Sequence, residues 1–401
     1  MIVVAEFYRI RNEHVPVNAG LLYIISEEYA DQEIHFYGEE EHIAAIRTFW
    51  TSNNLKIGNV IFHQHRSKFA NSAGIKMVLS RIASELFAVR RLSKVVSKEI
   101  DSVVFFLSLS SVTAIFQKLF FFKKTLVIIT LHGDVEFIRL NNDFTRNFLG
   151  RCFRISFRIK RVFVKYLVLD KVIKGNLVKS GFLKKEEIIA IPHPYIYKFP
   201  ENQNQYTVPF KIGHIGVASV EKQTFYLFKI AENFKNSIER NQIEFSLIGR
   251  NENIVEKDLN DLVTGADNRE MLSRKDFEAG VNNLHYSIFF YNDIYQLTGS
   301  GAIQDAFNFE KPVIALKNEL FTAIFERAGN IGFLCNDIPE MEKVFQKIID
   351  GEIDTALYET MQSNMRLFKQ NNAPGKIREQ LFSQLKLFTP ATEVSQKHEL
   401  V

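Results

Sequence analysis

Cysteine is scarce in this chain. The two present, Cys152 and Cys335, lie far apart and follow no metal spacing. A disulfide scaffold and a zinc module are thereby excluded, and the pair reads as reduced thiols of a cytoplasmic protein. Charge of one sign is also lacking. A net charge of +4 does not by itself imply a nucleic-acid partner, though 50 basic residues leave room for a local basic face. No nucleic-acid module is visible. The start, Met1 to Glu6, reads as a strand with neither a basic region nor a cleavage site, so no signal peptide is expected. No long hydrophobic run survives inspection. The nearest, residues 102–122, holds four serines, Thr113, Gln117 and Lys118. It divides better into a strand (103–107) and a helix (111–120) than into a membrane span. Tryptophan occurs once, against 37 phenylalanines.

What is present is globular: 46% hydrophobic and 24% charged residues. A length of 401 residues exceeds what one core usually supports, so two domains are expected. Apolar segments alternate with helical ones from end to end. Strands are expected at 2–7, 33–37, 57–62, 102–107, 125–130, 166–170 and 187–191. The intervening helices include 20–29, 41–50, 76–96, 111–120 and 172–180. That alternation, with strands apolar all round, predicts a doubly wound parallel sheet. Such sheets bind ligands beyond the carboxyl ends of their strands. A polar stretch, 196–208, follows Pro192-His193-Pro194 and reads as a linker. A second α/β domain is expected over 209–370, and 371–401 as a terminal helix and polar tail.

Two turns in the second half carry chemistry. Residues 287–316 read as strand, glycine loop, helix, strand, with Thr298, Gly299, Ser300 and Gly301 in the loop and Asp305 one turn into the helix. A helix that begins at a sheet edge presents unpaired N–H groups and a positive dipole end. Glycine lets a ligand approach closely, and phosphate is the natural guest. Earlier, a strand at 211–215 runs into Gly216-Val217-Ala218-Ser219-Val220-Glu221-Lys222 before a helix at 224–234. Lys222 is placed to reach a phosphate there. Gly249-Arg250 ends the next strand.

In the first half, the strand at 125–130 runs into Leu131-His132-Gly133-Asp134-Val135-Glu136. An imidazole beside carboxylates at a crevice edge can act as acid, base or hydrogen-bond donor. Arg9 and His14, after the first strand, are further candidates. Residues 146–165 carry seven basic residues interleaved with apolar ones. At helical spacing this gives an apolar and a basic face, the pattern of a helix on anionic lipid, so peripheral contact with the inner face of a membrane is expected.

These turns together resemble those of GT-B glycosyltransferases of the broad family-4 kind. Gly216, Ser219, Glu221 and Lys222 resemble the first donor-domain turn, with Val217 where the family has arginine. Gly249-Arg250 resembles the second strand end. Phe289 to Asp293, Tyr295, Thr298 to Gly301, Asp305 and Lys311 to Ala315 resemble the donor motif. That motif has two acids eight apart; Asp305 takes the second place and Leu297 stands at the first. His132-Gly133 resembles the acceptor-domain loop. The resemblance implies two Rossmann-like domains facing across a cleft, with a C-terminal helix crossing back to the first. It implies transfer of a sugar from a nucleotide-sugar donor to a glycan or lipid-linked glycan acceptor in surface polysaccharide synthesis. Lys222 would then serve as the diphosphate cation and His132 or Asp134 as base candidates, with Arg9, His14 and Glu136 on the acceptor side. No cofactor and no metal are expected. A GT-B sugar-nucleotide epimerase and a non-catalytic ligand-binding protein remain alternatives.

Overall fold

The computed structural model describes residues 1–65, 74–99, 101–140, 143–199, 205–252, 254, 261–291 and 295–387. The chain divides into two compact units. One comprises residues 1–196 with the segment from Asn372 onward; the other spans Tyr197–Asn371.

The first unit contains β1 (Ile2–Glu6), α1 (Val15–Glu28), β2 (Ile34–Glu39), α2 (Glu40–Ser52), β3 (Val60–His65), α3 (Gly74–Val96), β4 (Val103–Phe106), α4 (Ser111–Phe120), β5 (Leu126–Thr130), α5 (Phe144–Arg158), β6 (Val164–Val168), α6 (Lys171–Lys179) and β7 (Ile188–Ala190). All seven strands are parallel, in the order β3-β2-β1-β4-β5-β6-β7. The order reverses between β1 and β4, which is where such sheets open a crevice.

The second unit contains β8 (Phe210–Ile215), α7 (Phe225–Asn233), α8 (Lys235–Glu239), β9 (Ile243–Ile248), β10 (Val263–Thr264), α9 (Arg274–Asn283), β11 (Tyr286–Phe289), α10 (Gly301–Asn308), β12 (Val313–Leu316), α11 (Glu319–Ala328), β13 (Gly332–Cys335), α12 (Ile338–Ile349) and α13 (Thr355–Asn371). Its six parallel strands run β10-β9-β8-β11-β12-β13, and its reversal lies between β8 and β11. The last helix, α14 (Pro374–Lys386), belongs to the first unit. There Ile377, Leu381, Phe382 and Leu385 join the core formed by α1, α2 and the sheet.

The central strands β1, β4 and β5 are short apolar runs buried on both faces, as parallel sheets require. Side-chain caps start several of the helices. Asn318 accepts from Phe321 N at 2.8 Å, and Asp337 from Glu340 N at 2.8 Å.

Four sequence expectations change. The first helix starts at Val15 rather than at 20, because Pro16 suits a first turn and Val15 and Val17 are buried. The third strand lies at Val60–His65, three residues later than read. Tyr197 and Lys198, read as linker, pack into the second unit: the Tyr197 hydroxyl donates to Gln304, and Lys198 N donates to Asn308 Oδ1 at 2.6 Å. The basic run 146–165 is not one amphipathic helix. α5 ends at Arg158, and Val164 and Lys165 belong to β6. Its apolar side, Leu149, Cys152, Phe153 and Phe157, is buried in protein, so that side cannot lie on lipid. What faces outward is Arg151, Arg154 and Arg158 with Phe148 and Ile155. Among the described residues, no helix is long and apolar enough to cross a membrane.

Candidate functional site

In the second unit the residues gather at the β8/β11 reversal. Gly216 follows β8 with φ +93°, a conformation glycine adopts without penalty. A Cβ placed on it would stand 3.7 Å from the Ala302 Cβ and 3.8 Å from Lys222 Nζ. The strand end, the lysine amine and the first turn of α10 therefore meet at one point. Gly249, at the end of β9, backs this turn so closely that its Cβ would lie 2.1 Å from the Gly216 carbonyl oxygen.

Lys222 is half-buried, and its backbone N donates to Ser219 Oγ at 3.3 Å. Burial pushes its ammonium down to about 8, while Glu252 pulls it back up. His214, wholly buried beneath the turn, is pushed down to about 3 by burial and then by Lys222, and is neutral. Ser300 stands at the N-cap of α10 but its side chain makes no capping bond to the helix. Its Oγ lies 3.2 Å from the Tyr291 hydroxyl instead. Tyr295 stacks on Tyr291 with centroids 4.3 Å apart, and Lys222 Nζ lies 6.0 Å from the Tyr291 ring. Gly301 has open space where a Cβ would be, and Thr298 Oγ1 donates to the Gly299 carbonyl at 3.4 Å.

Two donor-side candidates have other partners. Asp305 faces α9, where both terminal nitrogens of Arg274 stand 3.5 Å from its Oδ1. Arg250 bonds Glu252 at 2.5 Å. Asp293 lies outside the described residues.

In the first unit, Arg9 Nη2 donates to Asp134 Oδ2 at 2.7 Å, tying the turn after β1 to the short 3-10 helix Gly133–Ile138 after β5. His132 is buried with Nε2 2.6 Å from the Leu107 carbonyl. Burial and Arg9 push its imidazole down to about 4, so it is neutral across the physiological range. His14, in left-handed backbone at φ 58°, sets its ring edge-on to His132 at 4.8 Å. Burial and His132 hold it well below its ordinary value. Glu136, expected on the acceptor side, is buried with Arg139 of its own turn at 3.4 Å.

Sequence reasoning missed three groups here. His193, read as part of the chain's exit, is buried, and its Nδ1 has no partner. Burial and then His132 push it down to about 3. The signal for it was its position just beyond β7, on the same carboxyl edge as His132. Glu6 ends β1 and is wholly buried. It accepts from Tyr8 N at 3.0 Å, Arg9 N at 2.8 Å, Asn18 Nδ2 at 3.2 Å and Ser108 Oγ at 2.7 Å. Glu85, on α3, is wholly buried and accepts from Ser110 N at 3.1 Å. Among the described residues, no three His, Cys, Asp or Glu side chains cluster as metal ligands.

No family model matches the chain, and no curated protein matches it. Solved structures do. One is a point mutant of TarM from S. aureus, determined in complex with Fondaparinux, alpha-GlcNAc-glycerol and UDP. It is 10% identical, with a TM-score of 0.63 over 97% of this chain and 99% of that one. A UDP-forming trehalose-phosphate synthase from Burkholderia vietnamiensis is 10% identical, with a TM-score of 0.60 over 96% and 98%. A UDP-GlcNAc 2-epimerase from Neisseria meningitidis is 14% identical, with a TM-score of 0.54 over 96% and 100%. At such identities the likeness is one of architecture. Two Rossmann-like parallel sheets, with the last helix packed on the first unit, give this chain the GT-B fold.

Proposed function

We propose that the chain is a glycosyltransferase that moves a sugar from a nucleotide-sugar donor to a glycan or lipid-linked glycan of a surface polysaccharide, without a metal. One observation carries the reading: Lys222 Nζ, the Gly216 turn and the first turn of α10 converge at the β8/β11 reversal. When the bond from the sugar to the leaving nucleoside diphosphate breaks, negative charge grows on the phosphate oxygens. An ammonium and the N-terminal N–H groups of a helix stabilise that charge where it develops. Structures of similar fold that hold UDP or UDP-2-fluoro glucose favour uridine diphosphate as the leaving group. The complex of TarM with alpha-GlcNAc-glycerol and Fondaparinux favours a glycan-class acceptor.

In the first unit, His132 gives one nitrogen to the Leu107 carbonyl, and its other ring nitrogen remains to bond a substrate hydroxyl. Asp134 gives one oxygen to Arg9 and keeps the other to accept a hydroxyl proton. The exposed arginines of α5 give the protein a face for peripheral contact with an anionic membrane.

Calorimetric titration with nucleoside diphosphates, with and without chelator, tests the reading. UDP is expected to bind, equally well in both conditions. If no nucleoside diphosphate binds, the transferase reading falls. Incubation with a UDP-sugar and no acceptor separates the runner-up, since an epimer formed under those conditions favours the epimerase.

A further inference from the structure

A corner of the first unit, at the amino-terminal edge of its sheet, has features the proposed reaction does not use. α4 ends at Phe120, and the chain turns through Lys123 and Lys124 into β5. α5 ends at Arg158 and turns through Lys160 to Phe163 into β6. The two turns are clipped together. Arg161 Nε donates to the Lys118 carbonyl at 2.7 Å. The Lys118 ammonium, itself buried, donates to the carbonyls of Ser156 and Ile159 at 2.8 and 2.9 Å. Between the turns lies a cavity of about 260 Å³ whose lining includes Lys118, Lys123, Lys160, Arg161, Phe121 and Phe163.

Around this basic notch, large apolar side chains face outward. Phe120 is 60% exposed and Val162 82%, with Phe116, Leu119 and Phe163 exposed beside them. Contiguous exposed apolar surface marks a contact site. An occupant that satisfies both parts must be oily and anionic together. A soluble anion would engage the lysines and leave the rim in water. A bilayer of anionic phospholipid matches both: the rim enters the interface and the exposed Lys123 and Lys124 beside the notch meet headgroup phosphates.

We propose that this corner docks on an anionic phospholipid surface, with lipid phosphates met by the exposed Lys123 and Lys124, while Lys118 and Arg161 hold the two turns together and Lys160 bonds Glu187 at 2.8 Å. The proposal rests on the membrane reading above and moves the contact from the flank of α5 to its far end. It has a geometric consequence. The corner lies at the opposite edge of the sheet from His132, and the five residues of β5 alone span roughly 17 Å. The acceptor-side loops of this unit then stand clear of the bilayer. That suits an acceptor glycan extended away from its lipid rather than one reacting at the headgroup.

Vesicle flotation of the full chain tests this, with phosphatidylcholine alone and with added phosphatidylglycerol. Three double variants are compared: Lys123→Glu with Lys124→Glu, Phe120→Ser with Val162→Ser, and Arg151→Glu with Arg158→Glu on the flank of α5. The wild type is expected to float only with phosphatidylglycerol. Reversing the two lysines is expected to cut binding about 30-fold or more. The apolar pair is expected to cut it about tenfold or more, and the α5 pair less than either. If the α5 pair alone abolishes flotation, membrane contact stands and the corner is not the contact. Loss in the lysine pair with none in the apolar pair overturns insertion of the rim. A wild type that fails to float with phosphatidylglycerol overturns the membrane reading and the corner with it.

Discussion

The two sheets reverse strand order at the same relative position, yet their crevices are lined by different groups. In the second unit a glycine, Gly216, follows the first strand, and the Lys222 ammonium lies beside it. In the first unit the first strand ends in Glu6, whose carboxylate takes the N–H groups of Tyr8 and Arg9 and the Ser108 hydroxyl. Those are the kinds of donor that hold a bound anion. Burial raises the Glu6 carboxyl above its ordinary value, while these donors and Arg9 pull it back. The first crevice therefore holds an acid of its own, fixed in the fold, whereas the second presents a cation and uncapped helix N–H groups to a ligand. One scaffold thus gives one crevice suited to neutral hydroxyls and one suited to a phosphate.

The contrast breaks most sharply at Lys222. Lys222→Ala is expected to lower turnover by about 10²–10³-fold, the usual effect of removing one group that stabilises developing charge. The melting temperature should stay close to that of the wild type, because the side chain is only half-buried. Unchanged turnover with a saturating nucleotide-sugar would show that the phosphate sits elsewhere.

The first crevice is tested through its other buried acid. Burial lifts the Glu85 carboxyl from 4.5 to about 7. The folded protein then holds a proton that the unfolded chain releases. The stability this brings is complete below about pH 4.5 and is lost as pH rises towards 7. Between those limits the wild type should lose about 3 kcal/mol relative to Glu85→Gln. Urea denaturation of both proteins at the two pH values measures the difference; parallel behaviour would sink the assignment. In the second unit the sign differs. Lys222 is cationic below about 8, so UDP affinity should hold to that pH and then fall about tenfold per unit. Lys222→Arg should flatten the fall. A wild-type affinity that is level through pH 9 would contradict the role given to the ammonium.

How much of this was legible depended on the range of the contacts. Parallel strands buried on both faces read as unbroken apolar runs, so Val103–Phe106 and Val313–Leu316 fall inside the expected segments. The starts of α11 and α12 carry a local signal, since Asn318 and Asp337 cap them. The Gly216–Lys222 turn was legible for the same reason: its parts are six residues apart. β10, two residues long, and α8, five, are too short for a period to show. His193 and Glu6 escaped because their partners come from distant segments. His193 meets His132 from beyond β7, and Ser108 reaches Glu6 from beyond β4. Asp305 was found by position, but its partner Arg274, on the preceding helix, was not.

That partner decides the smallest expected effect. By position alone, Asp305 would hold ribose or sugar hydroxyls. A charged hydrogen bond of that kind contributes about 1.5–3 kcal/mol, so its loss would weaken donor binding about tenfold or more. In the structure Asp305 stands 3.5 Å from an Arg274 that also bonds Glu278 at 2.7 Å and is 45% exposed. An ion pair so placed, beside solvent and shared with a second acid, contributes less than about 1 kcal/mol. Its role is then to hold α9 against α10, one step behind the phosphate site. Asp305→Asn should change UDP-sugar affinity less than about fivefold and lower stability by less than about 1 kcal/mol. Arg274→Ala should match it in UDP-sugar affinity and lower stability somewhat more, because it also removes the bond to Glu278. If Asp305→Asn weakens UDP-sugar but not UDP by tenfold while Arg274→Ala does neither, the carboxylate grips the sugar. The second crevice would then read hydroxyls as well as phosphate, and the division of labour between the two sheets would be less complete than their linings suggest.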